Sequence, residues 1–227
     1  MEQQKVPLTG RRSLLPTRTS KPFKHFTRDL DLNTQFLSDF LLAKYRLLEA
    51  QDSEVALGRP TPGAESGKRL WEDSGSLSTV AWRDYNVFQF HESNVYDLLL
   101  AIGEMTREAC DYYELNFRSQ RFMVQGWFNV NYAHSGKLDW HIHSPLGAPQ
   151  FHGYYAVTAE PSQTHYNIDG DIVVVENRNN RAILGESKWP HAMGDWSWGG
   201  PRITVAYDVS PLRALDKQNE QHYVPLP

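Results

Sequence analysis

A single cysteine, Cys110, leaves this chain without an internal disulfide and points to a reducing compartment. It sits in a helical pattern, where a small buried hydrophobe is a simpler role than a nucleophile. No apolar run approaches the roughly 18 residues that a membrane helix needs, and no signal-like apolar segment follows the start. Excess charge of one sign is missing as well. With 23 basic against 27 acidic side chains the net charge is -4, too little to gather nucleic acid or an anionic membrane. These absences predict a soluble cytoplasmic protein with neither nucleic acid nor membrane as partner. Internal repeats and low-complexity segments are lacking too.

What is present is a globular composition, 40% hydrophobic and 12% aromatic over 227 residues, enough for one substantial core. Residues 1–30 are basic and predict a flexible arm. Residues 31–227 predict a single domain, with helical support over 31–116, a β-barrel core over 117–212 and a tail over 213–227. In "NTQFLSDFLLAKYRLLEAQ" (33–51), Phe36, Leu37, Phe40, Leu41, Lys44 and Leu48 recur at three- and four-residue spacing behind Asn33 as N-cap. That is an amphipathic helix. "SNVYDLLLAIGEMTREACDYYEL" (93–115) predicts a second, capped by Asn94, with Val95, Leu98, Leu99, Ile102, Met105 and Ala109 on its apolar face. Between them the Gly-, Pro- and Ser-rich stretch 53–79 predicts a long surface loop and a candidate lid, followed by a short extended segment at 80–90.

After residue 116 the hydrophobic period changes from 3.6 to 2. Short β-type runs follow at 122–133, 138–143, 151–159, 164–168, 171–176, 182–185 and 201–210, separated by turn signals such as "SPLGAPQ", "DGD" and "NRNNR". Helices first and antiparallel strands afterwards predict an α+β fold, a sandwich or closed barrel packed on two helices.

The stretch "LDWHIHSPLGAPQFHGYYAV" (138–157) carries the chemistry. In a strand His141 and His143 project the same way, with Asp139 behind them. Such a pair alone is weak evidence, since paired histidines are more often hydrogen-bonded or exposed. A metal needs a third donor, and "SKWPHAMGDW" offers His191, 48 positions beyond His143. Further on, Arg202 opens "RITVAYDV", with Thr204 on the same strand face. A buried, unpaired guanidinium is costly, so an arginine opening an apolar strand asks for an anion, here a carboxylate gripped by Arg202 and Thr204.

This order of elements resembles the iron(II)/2-oxoglutarate-dependent oxygenases, in particular a branch with a His-x-His and distal-His metal motif. That branch reads W-x-N, then G, then His-x-His-Pro, then SGxYY; here the positions read "WFNVNYAHSGKLDWHIHSP" and "FHGYYAV". The resemblance covers about residues 120–210. Two positions depart from it: the proline is displaced to Pro145, and His152 replaces the serine before Gly153. The resemblance implies a double-stranded β-helix, the jelly-roll or cupin-like barrel. It also implies iron(II) held by His141, His143 and His191, with 2-oxoglutarate and O2 as co-substrates and Arg202 and Thr204 anchoring the keto acid. Its decarboxylation to succinate and CO2 would accompany oxidation of a substrate C–H bond, by default hydroxylation. Three neutral imidazoles leave the metal more positive than the usual two with a carboxylate, a charge that a dianion balances, and they leave no vacancy for a halide.

Asp139 is the competing ligand, or else it orients an imidazole from behind. His152 and Asp169 are weaker candidates, and His134 falls in a turn. Period two places Trp127, Asn129 and Asn131 on one strand face, with Asn129 assigned to the co-substrate and Trp127 and Asn131 to the substrate. Tyr154 and Tyr155 point to opposite faces, so only one reaches the site; Tyr155 is assigned to the co-substrate, and Tyr154, with Trp140, to the substrate. The expected substrate is a small molecule or amino-acid-like, and a homo-oligomer is compatible with the chain. Two other readings compete: a cupin-type three-histidine enzyme that uses no 2-oxoglutarate, and a non-catalytic jelly-roll binding protein. The first leaves Arg202 without a reason; the second makes the whole His and Arg pattern coincidental.

Overall fold

Where alternation is read after residue 120, strands form, with one exception. The computed structural model of the chain describes residues 21–50, 76–79, 85–132, 140–143, 149–215 and 222–227. In chain order the elements are β1 (Phe26–Asp29), α1 (Thr34–Ala50), β2 (Ser76–Ser78), α2 (Ser93–Tyr112), α3 (Phe117–Gln120), β3 (Phe122–Asn131) and β4 (Phe151–Thr158). They continue with β5 (Gln163–Ile168), β6 (Asp171–Glu176), β7 (Arg181–Glu186), β8 (His191–Met193), β9 (Arg202–Pro211) and β10 (Val224–Pro225). One sheet runs β1-β7-β4-β9-β3-β10, with β2 added to β3, and a second runs β6-β5-β8. Every pairing is antiparallel. The architecture is the α+β arrangement expected from the sequence, with both long helices in the N-terminal half. Among the described residues no helix is long and apolar enough to cross a membrane.

The helices supply one wall of the core. Leu37 and Leu41 of α1 and Leu98, Ile102, Met105 and Ala109 of α2 are buried, and the helices lie against β4, β7 and β1. Asn33 caps α1 as expected, accepting from the Phe36 amide at 2.9 Å. The α2 cap differs. Glu92, not Asn94, receives the free amides of Asn94 and Val95 at 3.1 and 3.0 Å. Asn94 instead accepts from the Asn33 amide at 3.0 Å and ties the two helix starts together. A carboxylate at a helix N-terminus gains from the helix dipole, which lets glutamate compete with asparagine there.

Three further expectations change. Residues 26–29 were expected in the basic arm but form β1, where Asp29 receives the Arg181 guanidinium at 2.6 and 2.8 Å. The described end of the extended 80–90 segment is a 3-10 turn, Val87–Gln89, capped by the Asn86 side chain. The strand expected at 138–143 is reduced, over its described residues, to a single antiparallel bridge between His141 and His191. Most of the candidate lid (53–75), with Asp139, His134 and Pro145, lies outside the described residues. The "DGD" turn is the expected hairpin: Asp169 and Gly170 have φ of 54° and 103°, the pattern of a two-residue connection between β5 and β6.

Period two divides the large sheet into two faces. Phe128, Val130, Ile203, Val205, Tyr207 and Tyr155 join the core cluster that also takes in the helices. On the opposite face, Trp127, Asn129 and Asn131 of β3 pair across with Ala206, Thr204 and Arg202 of β9. β4 continues the rows, with Tyr154 beside Ala206 and His152 beside Asp208. Gly153 lies between those two β4 residues. A Cβ there would run into the Ile183 carbonyl and the Tyr207 ring, so close strand approach demands glycine.

Candidate metal centre

The polar face of the large sheet forms one wall of a cavity of about 230 Å³. It is lined by Trp127, Asn129 and Asn131 from β3, His152 and Tyr154 from β4, Arg202, Thr204 and Ala206 from β9, and Ser78 from β2. Thr164 of β5 and His191 and Met193 of β8 line it from the other sheet, and His141 and His143 complete the wall.

His141 and His191 exchange both backbone hydrogen bonds, at 3.1 and 3.0 Å. This pins His141 to β8 and brings its side chain to the distal histidine. The ring centroids are 4.3 Å apart for His141 and His191, 5.2 Å for His141 and His143, and 5.1 Å for His143 and His191. One donor atom from each of the three lies within 4.8 Å of the other two. His143, His152 and Asp208 form a second group by the same measure.

The protonation states suit metal ligation. Burial first, then the neighbouring histidines His152, His141 and His143, pushes His191 far below the ordinary imidazole range. Burial and the adjacent His143 lower His152 to about 4. Both rings are therefore neutral at pH 7 and offer a lone pair. The Nδ1 of His191 faces the Trp189 carbonyl at 3.4 Å and the Nδ1 of His143 faces Asp208, which leaves Nε2 of each for a ligand. Burial alone would raise Asp208, yet the charge of His143 and hydrogen bonds from His143 and His152 bring it to about 2. Imidazole nitrogens backed by acceptors fit a divalent ion such as iron(II).

Arg202 closes the other end of the cavity and is only 6% exposed. Its Nε donates to the Ser162 hydroxyl at 3.0 Å, and among the described residues no carboxylate pairs with it. Burial lowers its guanidinium to about 10, partly offset by Tyr154. Ser162 is held by the Asn177 amide at 2.8 Å, and Asn177 accepts the Tyr154 hydroxyl proton at 2.6 Å. A buried cation with one neutral partner, lining a cavity beside Thr204, could hold a carboxylate.

Two assigned residues lie elsewhere. Tyr155 is fully buried on the helix side, away from the cavity lining, and donates to Asn180 Oδ1, whose amide in turn donates to the Leu32 carbonyl at 3.0 Å, so it braces the start of α1. Trp140 is 48% exposed and borders a surface groove with His141, Ile142, Asn167, Ile172 and Pro190; lying next to His141 in the chain, it points to the side opposite the cavity. Trp127, Asn129, Asn131 and Tyr154 do line the cavity. Asn129 is already engaged, accepting from Ser78 at 2.6 Å. His152 carried little weight in the sequence, and Asp208, Ser162 and Asn177 none.

The two sheets and the cavity between them form a double-stranded β-helix, the barrel of the 2-oxoglutarate oxygenases. Solved structures bear this out. The fold is similar to the non-heme α-ketoglutarate-dependent carbocyclase SnoK from nogalamycin biosynthesis, with TM-score 0.52 and 11% identity over 89% of this chain and 92% of that one. It is similar to the epimerase SnoN from the same biosynthesis, with TM-score 0.50 and 11% identity over 83% and 78% of the two chains. A Pseudomonas putida prolyl-4-hydroxylase gives TM-score 0.50 and 11% identity over 82% and 91%. No protein-family model and no curated protein matches the chain. At such identity the likeness defines the fold and leaves the chemistry to the site.

Proposed function

We propose that this protein is an iron(II)- and 2-oxoglutarate-dependent oxygenase acting on a small-molecule or amino-acid-like substrate. Iron is held by His141, His143 and His191, and the distal carboxylate of the keto acid by Arg202 and Thr204. One observation carries the reading: Arg202 is buried with no carboxylate partner among the described residues, in the same cavity as three histidines that can share a metal. A metalloenzyme without 2-oxoglutarate gives this guanidinium nothing to hold.

When bound together, the metal and keto acid would let O2 act as the four-electron oxidant, one oxygen atom entering succinate as CO2 leaves and the other going to the substrate C–H bond. The residues of this chain do the rest. Arg202 and Thr204 fix one end of the keto acid, and the Ser162–Asn177–Tyr154 relay keeps the guanidinium in place. Trp127, Met193 and Ala206 line the cavity with apolar surface and exclude water from the reacting centre. Asn131 is a polar contact for substrate or co-substrate. The similar folds are named as carbocyclase, epimerase and hydroxylase, so the barrel supports several outcomes; hydroxylation is the one that needs no second constraint on the substrate.

Anaerobic addition of 2-oxoglutarate to the ferrous protein tests this. A weak visible charge-transfer band is expected, together with uncoupled succinate formation once oxygen is admitted. A protein that binds ferrous iron but gives neither signal would point to the cupin-type alternative. One that binds no metal would point to a binding protein.

A further inference from the structure

Asp208 is left without a task by this scheme, although its side chain is only 14% exposed and touches the proposed centre. Its Oδ1 lies 2.8 Å from His152 Nδ1 and 3.2 Å from His143 Nδ1, and its Oδ2 lies 3.4 Å from His143 Nδ1. The two imidazoles are nearly parallel, at 15°, with centroids 3.6 Å apart, and Trp127 stacks against both at 5.6 and 6.1 Å. An ionised carboxylate accepts hydrogen bonds and donates none. Each ring that meets it must therefore carry its proton on Nδ1, which puts the lone pair on Nε2. Stacking then removes the remaining freedom: with Trp127 alongside and His152 packed face to face, the His143 ring cannot turn without losing both Asp208 and the stack.

We propose that Asp208 is a positioning residue for the metal centre. It fixes the tautomer and the plane of His143 so that Nε2 faces the ion, and His152 is the second ring that shares the carboxylate and locks the stack. This rests on the metal assignment made above. The carboxylate that a two-histidine centre would place on the ion is, in this chain, placed behind one of its imidazoles. The same geometry explains why His152 stands before Gly153: on β4 it is directly opposite Asp208 on β9.

Two measurements test the proposal, on Asp208→Asn and on Asp208→Leu as a second variant of similar size. In the metal-free protein, long-range 1H–15N spectra should show His143 and His152 protonated on Nδ1, and Asp208→Leu, which removes the acceptor, should shift His143 toward the Nε2–H form, while Asp208→Asn, which keeps Oδ1, should shift it less. Co(II) affinity should fall by about 10- to 100-fold, while the visible Co(II) bands keep the positions seen in the parent protein. Unchanged His143 tautomer with Co(II) affinity within about twofold of the parent value would overturn the inference and leave the metal assignment intact. Displaced Co(II) bands in the variants would also overturn it, by showing Asp208 to be a direct ligand in a His143–His152–Asp208 set. A parent protein that binds no Co(II) would remove the metal assignment itself and this inference with it.

Discussion

Replacing Arg202 with methionine should act in opposite directions on the empty and the liganded protein. In the empty protein the guanidinium is a burden. Burial lowers it to about 10, and the gap from its ordinary 12.5, at about 1.4 kcal/mol per pH unit, is roughly 3 kcal/mol of lost solvation. The return is one hydrogen bond to Ser162 at 3.0 Å, worth about 1.5–3 kcal/mol for a charged donor. Methionine fills similar space without a charge. Arg202→Met should therefore leave the empty protein as stable as the parent or more stable by about 1 kcal/mol, a rise of roughly 2–4 °C for a chain of this size. Binding should respond the other way, because removing one partner of a desolvated charge pair costs about 2–5 kcal/mol. The dissociation constant for 2-oxoglutarate should rise on the order of 30- to several thousand-fold. Calorimetric titration of 2-oxoglutarate into the anaerobic ferrous or Co(II) protein, beside thermal unfolding of each empty variant, reads both effects. An empty Arg202→Met protein destabilised by about 3 kcal/mol or more, with 2-oxoglutarate affinity unchanged, would refute the reasoning. Arg202 would then be half of a structural ion pair and no receptor.

The paired tyrosines should separate cleanly. Tyr154→Phe and Tyr155→Phe each lose one buried hydrogen bond to an asparagine and should each cost about 1 kcal/mol of stability, but only Tyr154→Phe, which loosens the Asn177–Ser162 support of Arg202, should also weaken 2-oxoglutarate binding several-fold; unfolding and titration of both variants check this. His25 gives a pH dependence. Burial lowers its imidazole from 6.5 to about 4, so between those values the unfolded chain binds more protons than the folded one. Its stabilising contribution is complete above pH 6.5 and is lost as pH falls toward 4, by roughly 3 kcal/mol at most; urea unfolding of the parent and His25→Leu proteins at pH 7 and pH 4.5 should show a smaller acid loss in the variant. Cys110 is buried and its thiol is pushed up to about 12, first by burial and then by Asp111, so a disulfide reagent at pH 8 should label it only after denaturation.

Side chains whose neighbours lie two residues away, or one helical turn away, were legible in the sequence. His141 and His143, Arg202 and Thr204, the Trp127–Asn129–Asn131 face and the buried stripe of α2 are all of this kind, because strand and helix periods are local properties. The distal His191 was legible through the chemistry of the set, since a metal needs a third donor. Cross-strand register was not legible. Period two placed Tyr154 and Tyr155 on opposite faces, but the pairing of Tyr154 with Ala206 decides which face is the cavity, and that pairing is set over a separation of 52 residues. Asp208 could have been found by continuing the Arg202–Thr204 alternation two steps along β9. His152 could not, because its value comes only from standing opposite Asp208. Trp140 was misplaced for the converse reason: period two sets it on the face opposite His141 and His143, and its assignment to the substrate went against that alternation.

The charges around the cavity explain why a carboxylate one shell behind the donors matters to the proposed chemistry. Neutral imidazoles leave a divalent ion's charge intact, and Arg202 adds another positive charge in the same low-dielectric space. A keto-diacid cancels two of these three. The last is met by Asp208, whose two hydrogen bonds both run to histidines that line the cavity. Moving that carboxylate from the ion to the far side of His143 keeps the local sum at zero and gives the first position to a third neutral nitrogen. With a divalent ion bound and no keto acid, the same groups would leave an excess of positive charge that a dianionic ligand would relieve. Under the proposed function, that excess would make binding of the keto acid, rather than of the metal alone, the step that completes the site.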